Sequence, residues 1–351
     1  MLLSLALLLA GAFAGDGRCR ILALQGGGDK GAYQAGVLKA YIENLPAADV
    51  HWDVVTGISV GSMNGAGMSM YERGRESEAK DFLLDMWRQT SSRDVYKNWP
   101  WGGIVTGALF KPGLFDNSPL DDFLRSVLTK PMRNFLVGAA RVIDGKLTVW
   151  NVANDTLDQA VPKIVASAAI PGMFPPQEVE NELYYDGGVA KGVNIFDGIQ
   201  FCKDNGFDES LIDLDVALCA GASRVDLSTK ELKSLGMLMR SNEISSFYNS
   251  AMGGIKKARE RFPNVNFRHC AGPTGGLLRD GIPMKFSLKQ INQDIEAGEK
   301  DGKAAVALPP GQSCLFLEEY ATRHLHGEYK DSFGSFITMK LEEMEKHAEK
   351  Q

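Results

Sequence analysis

Two patterns of apolar residues alternate along the chain. In one, nearly every position in a short run is apolar, as in Ile21-Leu22-Ala23-Leu24 and in Trp52-Asp53-Val54-Val55-Thr56. Such runs predict strands buried on both faces, near residues 19–24 and 52–57. In the other, apolar residues return every three or four places, which predicts helices over 31–44, 60–73, 76–90, 118–129 and 157–169. Ser118 is the expected cap of the fourth, with Pro119 behind it. Asp144-Gly145 predicts a hairpin turn, and Leu183-Tyr184-Tyr185 a strand that ends at Asp186. Further on, the pattern predicts a helix over 194–204, a strand over 212–218, a long amphipathic helix around 229–261 and a terminal helix from 333 to 349. Strand and helix alternate without a low-complexity linker. That order predicts an α/β fold with a mostly parallel central sheet flanked by helices, as one domain over 15–330 and a charged C-terminal helix over 331–351.

Three of the predicted strands end in residues that carry chemistry. The second runs into Gly57-Ile58-Ser59-Val60-Gly61, which has the form of a nucleophile elbow: a serine in a tight strand-to-helix turn, with glycines where side chains would collide. The small residues that follow predict a helix whose N-terminus favours negative charge developing at Ser59. An ordinary strand-to-helix turn would share this string. The first strand runs into Gln25-Gly26-Gly27-Gly28-Asp29-Lys30-Gly31, a loop able to aim bare amides at an anion. Gly26, Gly28 and Gly31 also fit a dinucleotide fingerprint, which needs an acidic residue at the end of the second strand. Asp53 begins that strand instead, and the serine turn occupies its end. The amides are therefore better read as an oxyanion hole beside Ser59. The third strand delivers Asp186-Gly187-Gly188, in isolation an ordinary turn. Serine needs a base, however, and His51, His269, His324, His326 and His347 fall in no motif. Two arrangements remain open, direct proton transfer to Asp186 and a triad in which Asp186 orients His269.

Together these segments resemble the patatin-like phospholipases, in which the same motifs occur in the same order. The stretch Ser167-Ala168-Ala169-Ile170-Pro171-Gly172-Met173-Phe174-Pro175-Pro176 is similar to the family's loop leading into the aspartate strand. The resemblance covers residues 19 to 200. It implies a patatin-like three-layer fold and a lipid acyl hydrolase, phospholipase A-like or lysophospholipase-like, acting through an acyl-enzyme. Ser59 would be the nucleophile and Asp186 the base, with Gly26, Gly27 and Gly28 as the oxyanion loop. Lys30, Gly31, Gly57, Gly61, Gly187 and Gly188 would support them, and neither metal nor organic cofactor would be needed. One departure follows the aspartate: the family's asparagine, any residue, proline is here Asn194-Ile195-Phe196. A non-catalytic exported lipid-binding or storage protein with this fold is the alternative from another class.

Composition adds constraints. The net charge of −6 and the lack of a basic cluster argue against nucleic acid and against electrostatic capture by anionic lipid. The expected partner is lipid substrate at a membrane or micelle surface. Residues 94–117 hold Tyr96, Trp99, Trp101, Phe110 and Phe115, and read either as an interfacial wedge or as a loop whose indoles pack on the body. Residues 1–14 form an apolar run ending in Ala12-Phe13-Ala14, which predicts a signal peptide and secretion; a buried strand or an uncleaved anchor is the alternative. Five cysteines allow one or two bridges with at least one thiol left over, and Cys219 reads as a buried hydrophobe. Asn154-Asp155-Thr156 is the one glycosylation sequon. His324-Leu325-His326 is read as no metal site, because residues two apart on a helix diverge.

Overall fold

The computed structural model describes residues 16–221, 234–273, 284, 286–326 and 333–348. The predicted signal peptide and the first part of the helix expected at 229–261 lie outside the described residues. Among the described residues eight strands form one sheet: β1 (Cys19–Leu24), β2 (Val54–Ile58), β3 (Asn134–Arg141), β4 (Leu147–Asn151), β5 (Gln177–Val179), β6 (Glu182–Asp186), β7 (Ile212–Ala217) and β8 (Asn266–Ala271). Their order is β5-β6-β3-β2-β1-β7-β8, with β4 paired to β3 off this path. The run β3-β2-β1-β7-β8 is parallel, while β4 and β6 lie antiparallel to β3.

Between the strands run α1 (Gly31–Asn44), α2 (Val60–Ser69), α3 (Glu76–Gln89), the short α4 (Ser92–Val95) and α5 (Ile104–Phe110), α6 (Ser118–Val127), α7 (Leu157–Ser167) and α8 (Ile195–Asp204). Then come α9 (Ser234–Ser245), a π-helical turn at Ser246–Met252, α10 (Gly253–Arg261), α11 (Leu288–Val306), α12 (Gln312–Leu325) and α13 (Phe333–Ala348). Both faces of the sheet are covered, as a continuous apolar run such as β1 requires. Leu22 and Leu24 face one cluster with Tyr33, Met63, Trp87, Ile164 and Ile295 from α1, α2, α3, α7 and α11. Ile21 and Ala23, pointing the other way, join Ile199, Phe247, Ile255, Tyr320 and Phe336 from the opposite helix layer. Period-two alternation within one strand thus divides the core into the two halves of a three-layer fold.

Four local differences from the expected elements stand out. The helix expected at 60–73 ends at Ser69, and the cap before α6 is Asn117, with Ser118 as its first helical residue. The aromatic stretch contains two short helices, α4 and α5. Beyond residue 262, β8, α11 and α12 were not foreseen; α13 was, and it buries Phe336 and Ile337 in the second core. Disulfides join Cys19 to Cys202 and Cys270 to Cys314, stapling β1 to α8 and β8 to α12, and Cys219 stays reduced and buried.

Candidate active site

Strand register explains why Ser59 and Asp186 meet. β2 lies parallel along β3 as far as Ile58, which pairs with Gly138. The next residue of β3, Ala139, pairs with Asp186 at the end of β6, which arrives antiparallel. Ala139 and Ala140 pair with β4 as well, so β6 must occupy the β2 side of β3. β2 and β6 therefore run head to head along one edge of β3, and their last residues converge.

At that junction Ser59 sits in the turn between β2 and α2 with φ 55° and ψ −126°, a left-handed conformation that costs a non-glycine residue about 1–3 kcal/mol. The flanking glycines fit the turn as the sequence predicts. A Cβ on Gly57 would lie 2.6 Å from the carbonyl oxygen of Gly61, and one on Gly61 would lie 2.5 Å from that of Leu24. Ser59 Oγ donates to Asp186 Oδ2 at 2.5 Å, and the Gly188 amide donates to Asp186 Oδ1 at 2.7 Å. Both side chains are almost wholly buried. Burial pushes the Asp186 carboxyl up to about 6, against the pull of the Ser59 and Gly188 hydrogen bonds. A carboxylate that would otherwise be a weak base is thereby tuned toward neutral pH.

The glycine loop packs directly on the serine: a Cβ on Gly26 would lie 2.9 Å from Ser59 Cβ. Its amides are not equivalent. Gly26 N–H donates to Gly192 O, which commits it to the loop after Asp186 and removes it from the expected set of oxyanion donors. Gly27 and Gly28 remain, with Gly28 lining the same recess as Ser59. Lys30 is buried, and Gly31 opens α1 against the Trp87 ring. Gly187 packs against the Gly138 carbonyl, where a Cβ would approach to 2.4 Å. The segment that lacks the family's proline still closes back on the site, through Ala190 and Lys191 amides on Gly187 O and Thr56 Oγ1 on Asn194 O. Apolar side chains wall the recess above Ser59, among them Met63, Trp87, Leu120, Ile170 and Phe174.

His269 is elsewhere. It lies on β8, three strands from β2, or roughly 14 Å at normal strand spacing. It is buried near the Tyr41 ring and the Asp215 carboxylate, and burial lowers its basicity. The triad reading is overturned on this geometry. The dinucleotide reading fails as well, since Asp53 accepts from the Arg20 amide and from Arg73, at the opposite end of the strands from the glycine loop. Among the described residues no cluster of three His, Cys, Asp or Glu is assembled for a metal.

Sequence reasoning missed Ser167. The Ser59 amide donates to Ser167 Oγ at 2.9 Å, Ser167 Oγ donates to Gly138 O at 2.6 Å, and Ser62 Oγ lies 2.8 Å from it. One hydroxyl therefore ties the turn holding the serine to the strand that positions the aspartate. Its only sequence signal was its place at the start of the loop leading into the Asp186 strand. A buried amide network braces the glycine loop in a similar way. Gln34 donates to Gln25 O, and Asn64 links Gln34 to the Trp87 indole. Gln25 Oε1 accepts the amides of Cys219 and Ala220.

At its strand ends the α/β sheet thus presents a serine with positive φ, an adjacent buried carboxylate and a glycine loop. The patatin-like phospholipase family model matches residues 22–198, and the chain belongs to that family of lipid hydrolases. Among solved structures it is similar to VipD from Legionella pneumophila, with 11% identity and a TM-score of 0.40 over 88% of this chain and 75% of that one. A search of curated proteins finds no match.

Proposed function

We propose that the protein hydrolyses fatty-acyl esters of lipids through a Ser59–Asp186 dyad and an acyl-enzyme. The observation that carries this is the direct contact of Ser59 Oγ with a buried, weakened carboxylic acid at the floor of an apolar recess. Ser59 Oγ attacks the ester carbonyl carbon while its proton passes to Asp186 Oδ2. The oxyanion is met by the amides of Gly27 and Gly28, aided by the N-terminus of α2. Collapse breaks the ester C–O bond, and the proton on Asp186 goes to the leaving alkoxide. Water then attacks the acyl-enzyme, Asp186 accepts its proton and returns it to Ser59, and the fatty acid leaves. The apolar walls of the recess favour the acyl side of the ester over a polar headgroup.

Export belongs to the same proposal. Two disulfides suit an oxidising compartment, and the apolar start of the chain suits a signal peptide. The test is turnover of phosphatidylcholine, lysophosphatidylcholine and a galactolipid across pH. Fatty-acid release should rise with pH through about 6, as Asp186 loses its proton, and vanish in Ser59→Ala. Release from no acyl ester by the native chain would overturn the proposal.

A further inference from the structure

The segment between Lys97 and Asp116 leaves the body and returns through a closed neck. Lys97 and Asp116 exchange backbone hydrogen bonds at 2.9 and 3.0 Å. Inside the neck the Trp99 indole donates to Gly113 O, and the Lys111 ammonium lies 5.0 Å from the centre of the Trp99 ring. At the tip, α5 rests on its own loop through Gly107, where a Cβ would come within 2.3 Å of Leu114 O. The rest of that helix turns outward: Ile104, Val105, Leu109 and Phe110 are exposed, and Trp101 just before it is fully exposed. Of the two readings of the aromatic stretch, Trp99 takes the packing one and Trp101 does not.

We infer that this tip is a wedge that enters a lipid surface and brings the mouth of the Ser59 recess onto it; the inference rests on the lipid-hydrolase proposal above. Position supports it. Val95 and Phe115, which flank the neck, share a cluster with Phe174 and Met284, and Val95, Phe174 and Met284 line the recess. Leu114 and Phe115 amides donate to Gly172 O and Met173 O, so the excursion is bonded to the wall of the recess. Layering supports it too. An apolar tip above a collar of Trp99, Lys111 and Lys97 matches hydrocarbon below headgroups, where indoles and lysine ammoniums settle. Area argues against a second copy as occupant. Taking aromatic side chains at roughly 150–250 Å² and the aliphatic ones at less, the tip offers on the order of 600 Å², below the roughly 800 Å² per partner of a stable dimer. With a net charge of −6, the chain needs apolar contact to be held at a lipid aggregate.

The experiment uses the Ser59→Ala chain, so that binding is read without turnover, and vesicles of phosphatidylcholine brominated along one acyl chain. Tryptophan emission should be quenched and blue-shifted on vesicles. Trp101→Phe should abolish most of the quenching, because Trp52 and Trp87 are buried in the core, Trp150 packs edge-on against Tyr184, and Trp99 is held in the collar at headgroup depth, away from the brominated chain. Trp101→Ser with Phe110→Ser should lower vesicle partition by at least about tenfold. In the chain with Ser59 intact, that pair should leave hydrolysis of p-nitrophenyl butyrate within about twofold of native, since neither residue lines the recess. Unchanged partition, absent quenching, or a native dimer dispersed by the same pair would overturn the wedge. Absence of hydrolysis of both soluble and vesicle esters, with partition intact, would instead overturn the enzyme proposal and leave the wedge standing.

Discussion

Replacing Asp186 by asparagine should make the protein more stable at neutral pH while removing its activity. Burial holds the Asp186 carboxyl at about 6 in the folded chain, against an ordinary value of 3.8. Between these two values the folded state keeps a proton that the unfolded chain has lost. The stability contributed by this group is thus fully present below about pH 4 and is lost as pH rises through about 6. Two units at about 1.4 kcal/mol each put the loss near 3 kcal/mol at pH 8. Asparagine carries no charge to desolvate. With its oxygen toward the Gly188 amide and its nitrogen toward Ser59 Oγ, it also keeps both contacts that Asp186 makes. Asp186→Asn should therefore be about 2–3 kcal/mol more stable at pH 8, which for 351 residues is about 3–4 °C in Tm. The gain should shrink toward zero at pH 4. Ester turnover should fall by about a hundredfold or more, since the proposed mechanism uses Asp186 as its base. Thermal denaturation of both proteins at pH 4 and 8, with turnover at pH 8, makes the check. A variant less stable than native at pH 8, or an offset equal at both pH values, would refute the buried-carboxylate argument.

Ser167→Ala should leave the Ser59 amide and the Gly138 carbonyl unpaired in the interior, costing about 1–3 kcal/mol in denaturant unfolding. Turnover should drop by about tenfold with KM little changed, since the serine is misplaced and the recess is not; an unchanged kcat would remove Ser167 from the positioning role. Gly27→Ala should cripple turnover, because its methyl would lie 2.4 Å from Cys219 Sγ and push the loop off Ser59. Adding Cys219→Ala leaves Cys219 Cβ at 3.4 Å as the nearest side-chain atom and should restore much of the rate; failure of the second change to help would show that the loop tolerates no side chain for another reason.

Much of the site was legible because it is local: the Gly57–Gly61 turn, the glycine loop and Asp186-Gly187-Gly188 each declare themselves within a few residues. What joins them is not local. The head-to-head meeting of β2 and β6 depends on which residues of β3 each one pairs with, and the strands alone do not state that register. Ser167 looked like one more small residue, and its role follows only from where α7 ends over Gly138. The occupied Gly26 amide depends likewise on a loop more than 160 residues away. In the fold, α11 was not among the expected elements, and it carries two glycines, Gly298 and Gly302, inside a helix. Gly298 faces α1 so closely that a Cβ would lie 1.9 Å from Tyr33 O. The surface behaviour of Trp99 and Trp101, two residues apart, separates for the same reason: one indole finds a carbonyl and the other finds solvent.

The central claim is that Ser59 is a nucleophile activated by Asp186 without a histidine. Incubation with an alkyl fluorophosphonate, followed by intact mass and peptide mapping, tests it most directly. One adduct should form, on Ser59, at a rate that rises with pH through about 6, that collapses in Asp186→Asn and that is unchanged in His269→Ala. Labelling at another residue, or labelling of Ser59 that persists in Asp186→Asn and is lost in His269→Ala, would contradict the account.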